Sequence, residues 1–132
     1  MDEEWGSVRV TRVVDAVAAG KILSPQTARS KVLDGVVFGI GMALQEESMA
    51  DQGLGRFMNR NLAEYHIPVN ADVPDVEVIF VDEHNEIVSP IGVRGLGEID
   101  IVGTAAAIAN AIHHATGKRM RHLPITIDKV MG

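Results

Sequence analysis

The chain has no cysteine, an absence that removes disulfides, thiolate nucleophiles, sulfur-held zinc and iron-sulfur ligation together. Any metal chemistry must use other ligands. Basic runs are missing as well: 12 Lys and Arg stand against 18 Asp and Glu, for a net charge of -6, and no cationic stripe is available to neutralise phosphates. Nucleic acid is therefore not an expected partner. No apolar stretch approaches the ~18 residues that span a bilayer. The opening Met-Asp-Glu-Glu-Trp is acidic where a signal peptide is basic and then apolar. A membrane is not expected as a partner, and the compartment is left open. The Gly-x-Ser-x-Gly elbow of many hydrolases is absent, as is a Gly-x-Gly-x-x-Gly dinucleotide fingerprint opened by a strand.

The 132 residues suit one domain, numbered 1–132 throughout. Hydrophobic residues make up 46% of them, which is high for a domain with so much surface, and an exposed apolar patch is expected. Val8, Val10, Val13 and Val14 alternate roughly with polar residues over positions 7–14 and predict a strand. Ser24-Pro25 supplies an N-cap with proline at the first helical position. From there a helical pattern of Ala28, Val32, Val36, Ile40, Ala43 and Leu44 extends toward Met49. Gly35, Gly39 and Gly41 lie inside that helix, each less favourable than alanine by up to ~1 kcal/mol. Close packing against another backbone is the expected compensation.

A turn at positions 51–56 and irregular chain over 57–68 follow, with Pro68 and Pro74 opposing regular helix. Positions 76–81, Val-Glu-Val-Ile-Phe-Val, predict a second strand, and positions 82–86 a polar loop. An alanine-rich helix is predicted over 105–116, capped by Thr104 and ended by Gly117. Thr126 is expected to cap a short final turn. Strands and helices that do not strictly alternate point to an α+β class, a short sheet packed on the long glycine-containing helix and the alanine-rich one.

Chemistry concentrates in Gly92-Val93-Arg94-Gly95-Leu96-Gly97-Glu98, where three glycines precede one carboxylate and an apolar run starting at Ile99. Glycine at this density lets backbone turn sharply and lets another group come close. Glu98 is the candidate general base, worth roughly 10²–10⁴-fold if it reaches a proton in the transition state. Spacing alone leaves open a solvated carboxylate at a turn. His113 and His114 point about 100° apart on a helix and do not share one ion readily. His66, His84 and His122 have no partner at ligand spacing, so no metal ligands are assigned. Lys118, Arg119 and Arg121 suit a helix C-terminus electrostatically.

Several segments together resemble the C-terminal part of the molybdenum-binding subunit of the xanthine dehydrogenase and aldehyde oxidase family, closest to its bacterial aldehyde dehydrogenases. They are Val-Leu-Asp-Gly-Val-Val-Phe-Gly-Ile-Gly at 32–41, then 61–68, 75–81, the glycine loop at 92–98, and 105–110 continuing to Leu-Pro-Ile-Thr at 123–126. The resemblance implies that Glu98 sits beside the molybdenum as the base, taking a proton from a metal-bound hydroxide, with water as the oxygen source. It also implies that Gly95 and Gly97 let backbone approach the molybdopterin cofactor. Lys31 stands where the family commonly has a glutamine contacting the pterin. Lysine only donates, so it could hold a phosphate or carbonyl but not repeat a two-way amide contact.

Family subunits are several times longer, so the chain is expected to be a C-terminal portion that carries the base, binds no cofactor alone and is inactive alone. The implied partners are the remainder of the molybdenum subunit, separate iron-sulfur and FAD subunits, and an aldehyde or N-heterocycle substrate. Surface uncovered by the missing portion is expected to drive self-association through the long helix or the alanine-rich one. The alternative is a non-catalytic interaction or assembly module that keeps the fold.

Overall fold

A computed structural model describes every residue except Glu3, Asn85 and Glu86. The elements in chain order are β1 (Arg12–Val17), α1 (Pro25–Leu44), β2 (Ala50–Asp51), β3 (Arg56–Phe57), β4 (Asp75–Phe80), α2 (Ile99–Thr116) and α3 (Ile127–Met131). A 3-10 turn at Asn70–Asp72 leads into β4. β1 and β4 form a two-stranded parallel pair with Arg12 opposite Asp75 and Val17 opposite Phe80. β2 and β3 close a small antiparallel hairpin over the predicted turn. This is the α+β arrangement expected.

The two long helices make the frame. Ser24 and Pro25 start α1 as predicted, the Ser24 hydroxyl bonding Thr27 Oγ1 at 3.0 Å. A Cβ on Gly35 would stand 3.0 Å from Asp100 Cβ and 3.2 Å from the Ile101 amide, and one on Gly39 would overlap Thr104, with its Cγ2 at 2.7 Å. Both helices advance four residues between these contacts, so α1 and α2 run parallel along a seam that only glycine permits. Gly41 is covered differently, by Pro68 with its Cδ at 2.8 Å.

Behind the seam, Val36, Ile40 and Ala43 of α1 meet Ala105, Ile108 and Ile112 of α2, with Val76, Ile125 and Val130 completing the core. Val32 and Val36 are fully buried, worth ~1.5–3 kcal/mol each. A second, smaller cluster of Val17, Ala19 and Val32 packs Leu96. The core thus reaches the glycine loop.

Three element boundaries differ from the sequence reading. The first strand begins at Arg12 because it takes its register from β4; Val8 and Val10 only pack on the core. Helix α1 ends at Leu44, and the C-terminal segment meets that end: the Ile125 amide donates to Ala43 O at 2.6 Å. Helix α2 begins at Ile99, so Thr104 lies inside it and does not cap it. Its hydroxyl donates back to Asp100 O at 2.7 Å, the use a mid-helix threonine makes of a carbonyl four residues earlier. Gly117, at φ 74°, ends α2 and Thr126 precedes α3 as expected. The predicted polar loop over 82–86 includes two positions outside the described residues.

Candidate functional site

The glycine loop is built as an anchored span between β4 and α2. Its start is stitched to the segment after β1: the Lys21 amide donates to Gly92 O at 2.8 Å and the Arg94 amide to Ala19 O at 3.1 Å. Gly92 and Gly20 both hold positive φ, 71° and 65°, and a Cβ on Gly20 would run into the Gly92 carbonyl. Here glycine is demanded by both conformation and contact.

Arg94 supplies the second anchor. Its guanidinium grips Glu83 with both terminal nitrogens, Nη1 to Oε2 at 2.9 Å and Nη2 to Oε1 at 2.8 Å. Both side chains are under a third exposed, which makes this two-pronged pair stiffer than a surface ion pair. Leu96, packed on the second cluster, is the third anchor.

Beyond these anchors the loop opens. A Cβ added to Gly95 or Gly97 would meet no atom within 4 Å, and both residues are exposed. Glu98 is exposed at the N-cap position of α2, and its side chain makes no capping bond. The positive end of an eighteen-residue helix favours negative charge at that point.

Gly95, Gly97 and Glu98 are therefore brought together at one open edge. Lys31 is not joined to them by any hydrogen bond among the described residues. It sits on α1 beside Val32 and pairs with Asp34 at 3.4 Å, an exposed one-turn contact of little energetic weight.

Two features were not singled out from the sequence. One is the Arg94–Glu83 clamp, hinted at only by an arginine placed among glycines. The other is Asp100, buried in the first turn of α2 with Oδ2 lacking a partner. Burial raises its pKa first, and the nearby carboxylate of Asp15 on β1 raises it further. The two aspartates are 85 positions apart, and nothing local in the sequence pairs them. Among the described residues no three His, Cys, Asp or Glu side chains converge as a metal site, and no helix is long and apolar enough to cross a membrane.

A parallel helix seam supports an anchored, glycine-lined loop that ends in an exposed carboxylate, and the chain belongs to the family described as "Molybdopterin cofactor-binding domain", whose profile matches residues 1–74. Its relatives are molybdenum-binding subunits of oxidoreductases. The chain is 49% identical over 126 residues to the aldehyde oxidoreductase molybdenum-binding subunit PaoC of Escherichia coli K12, covering 96% of this chain and 17% of that protein. It is 41% identical over 119 residues to the putative xanthine dehydrogenase molybdenum-binding subunit XdhA of the same organism, covering 90% and 16%. Among solved structures, the aldehyde oxidoreductase of Desulfovibrio desulfuricans matches with a TM-score of 0.86 at 28% identity, over 98% of this chain and 14% of that one. The chain thus spans about one sixth of the length of the proteins it resembles.

Proposed function

We propose that this chain is the base-bearing C-terminal portion of a molybdenum hydroxylase that oxidises an aldehyde or N-heterocycle with water as oxygen source, Glu98 being the general base. The observation carrying this reading is the state of Glu98: exposed, free of a capping bond, and fixed at the end of a loop held by Arg94, Leu96 and the pairing with residues 19–21. A general base must come within about 2.6–3.2 Å of the proton it takes. Glu98 needs no existing bond broken before it does so, and its anchored backbone limits the search.

The residues also fit the cofactor. The open space beside Gly95 and Gly97 admits a large group against bare backbone, whose amides are natural donors to oxygen-rich ligands. Lys31, paired with Asp34 on α1, is given no part in holding the cofactor. The molybdenum cofactor, when bound, supplies the redox chemistry that accepts the substrate's electrons. This chain positions backbone against it and holds the proton acceptor.

The 49% identity to an aldehyde oxidoreductase subunit favours an aldehyde. The implied partners are the rest of the molybdenum subunit together with iron-sulfur and FAD subunits. Some relatives carry names that place them in multi-subunit enzymes, such as "6-hydroxypseudooxynicotine dehydrogenase complex subunit gamma" of Paenarthrobacter nicotinovorans. Alone, the chain is proposed to be inactive and free of molybdenum.

The test is to compare the purified chain with a chimera in which it replaces the 126 matched residues of the E. coli subunit, produced with that enzyme's other subunits. Aldehyde oxidation by the chimera, with none by the chain alone, is expected. A folded, molybdenum-loaded chimera without activity favours the non-catalytic assembly module.

A further inference from the structure

A groove of about 790 Å³ runs between β1 and α2. One wall is β1 with the residues just before and after it. The other is α2, which lines it with Gly103, Ala107, Ala111 and Ala115, four small and exposed residues at every fourth position and hence on one face of the helix. Asp100, 7% exposed and with Oδ2 unpartnered, lies along the same groove.

The sheet is unfinished at this groove. Among the described residues β1 pairs only with β4. Bonds toward β4 use the carbonyls of Thr11 and Val17, so the two-residue alternation of a strand turns the amides and carbonyls of Arg12, Val14 and Ala16 the other way. Parallel sheets are ordinarily covered and extended rather than left at two strands.

The surface area points to an occupant of domain size. A 14.2 kDa monomer exposes about 6,800 Å² by the usual size scaling, whereas this chain exposes 9113 Å². The excess of about 2,300 Å² is well above the ~800 Å² that each partner buries in a standard interface. The relative with 49% identity is about six times as long as the segment matched, and the other five sixths of a subunit of that length is a source of that cover.

We infer that the groove seats an extended strand from the remainder of the molybdenum-binding subunit, paired to the outer edge of β1, lying on the Gly103–Ala107–Ala111–Ala115 stripe and placing an N–H donor on Asp100 Oδ2. This rests on the reading of the chain as a piece of such a subunit. Small side chains on α2 let the incoming backbone come close, and the buried carboxylate oxygen gains the partner that buried polar groups require.

Hydrogen exchange on the chimera described above tests this, with the isolated chain as reference. The amides of Arg12, Val14 and Ala16 should exchange at least ~100-fold more slowly in the chimera. Ala111→Glu, at an exposed helix position, should leave the isolated chain's circular dichroism unchanged but remove most of that protection. Asp100→Leu should weaken it about tenfold.

Unchanged exchange at these amides in a folded chimera would overturn the proposal, as would protection that Ala111→Glu leaves intact. A concentration-dependent dimer of the isolated chain that protects the same amides to the same extent would also overturn it, making the groove a seat for a second copy. Glu98-dependent oxidation is scored separately. Protection without oxidation supports the groove and counts against the catalytic reading; oxidation without protection does the reverse.

Discussion

Glycine serves opposite purposes in two regions of this molecule. Along the α1 seam, Gly35 and Gly39 are surrounded: a single added carbon would press on Asp100, Ile101 and Thr104. At the loop before α2, Gly95 and Gly97 are surrounded by nothing. The seam glycines exclude matter so that two helices can lie backbone to backbone. The loop glycines border open space, which the proposed function gives to the cofactor. The residue type is the same, and only the contacts separate a packing role from the proposed binding role.

Substitutions at the two places should therefore diverge. The largest effect is expected at the seam: Gly39→Val inserts three carbons against Thr104 and should destabilise the isolated chain by about 3 kcal/mol, read as a lower urea midpoint. Adding Thr104→Gly should recover part of that loss, and a double-mutant cycle with no coupling would show that the two residues do not share the seam. A smaller effect is expected at the loop's clamp. Arg94→Met leaves Glu83 half-buried without its partner and should cost about 1 kcal/mol, with faster exchange at the loop amides. Equal exchange in both forms would show that the loop is held without the clamp.

Asp100→Asn adds a pH signature at the boundary between the two regions. The folded chain holds the Asp100 proton to a higher pH than the ordinary carboxylate value of 3.8, chiefly because the group is buried and secondarily because of Asp15. Stability from this group is full below 3.8 and falls as pH rises from there through the raised folded value. Asparagine has no proton to lose, so the variant should gain on the parent between pH 3.5 and pH 7. An identical difference in urea midpoint at both pH values would contradict the shift. The smallest stability change is expected for Gly95→Ala and Gly97→Ala, within about 0.5 kcal/mol, whereas both should lower molybdenum content in the assembled chimera.

Much of this was legible in the sequence because its signals are local. Ser24-Pro25, Gly117 and Thr126 mark helix ends by chemistry confined to a few neighbouring residues. The α1 glycines announced a close seam because nothing else offsets their unfavourable helix propensity. Glu98 was legible as a carboxylate after glycines, and the family resemblance added its proposed role.

What the sequence hid depends on distant pairing. The register of β1 is set by β4, more than sixty positions away, so alternation alone placed the strand too early. The start of α2 was obscured because Gly103 and Thr104 resemble a boundary locally, while the carbonyl that Thr104 bonds lies a turn back in the same helix. The clamp of Arg94 on Glu83 and the meeting of Asp15 with Asp100 arise only once the chain is folded.

The central claim is that Glu98 is the base held out on this anchored loop, and the most direct measurement is kcat of the assembled chimera carrying Glu98→Gln at matched molybdenum content. The account predicts a fall of about 10²–10⁴-fold, with molybdenum loading and the urea midpoint of the isolated chain unchanged. A kcat within a few-fold of the parent at equal loading would contradict it.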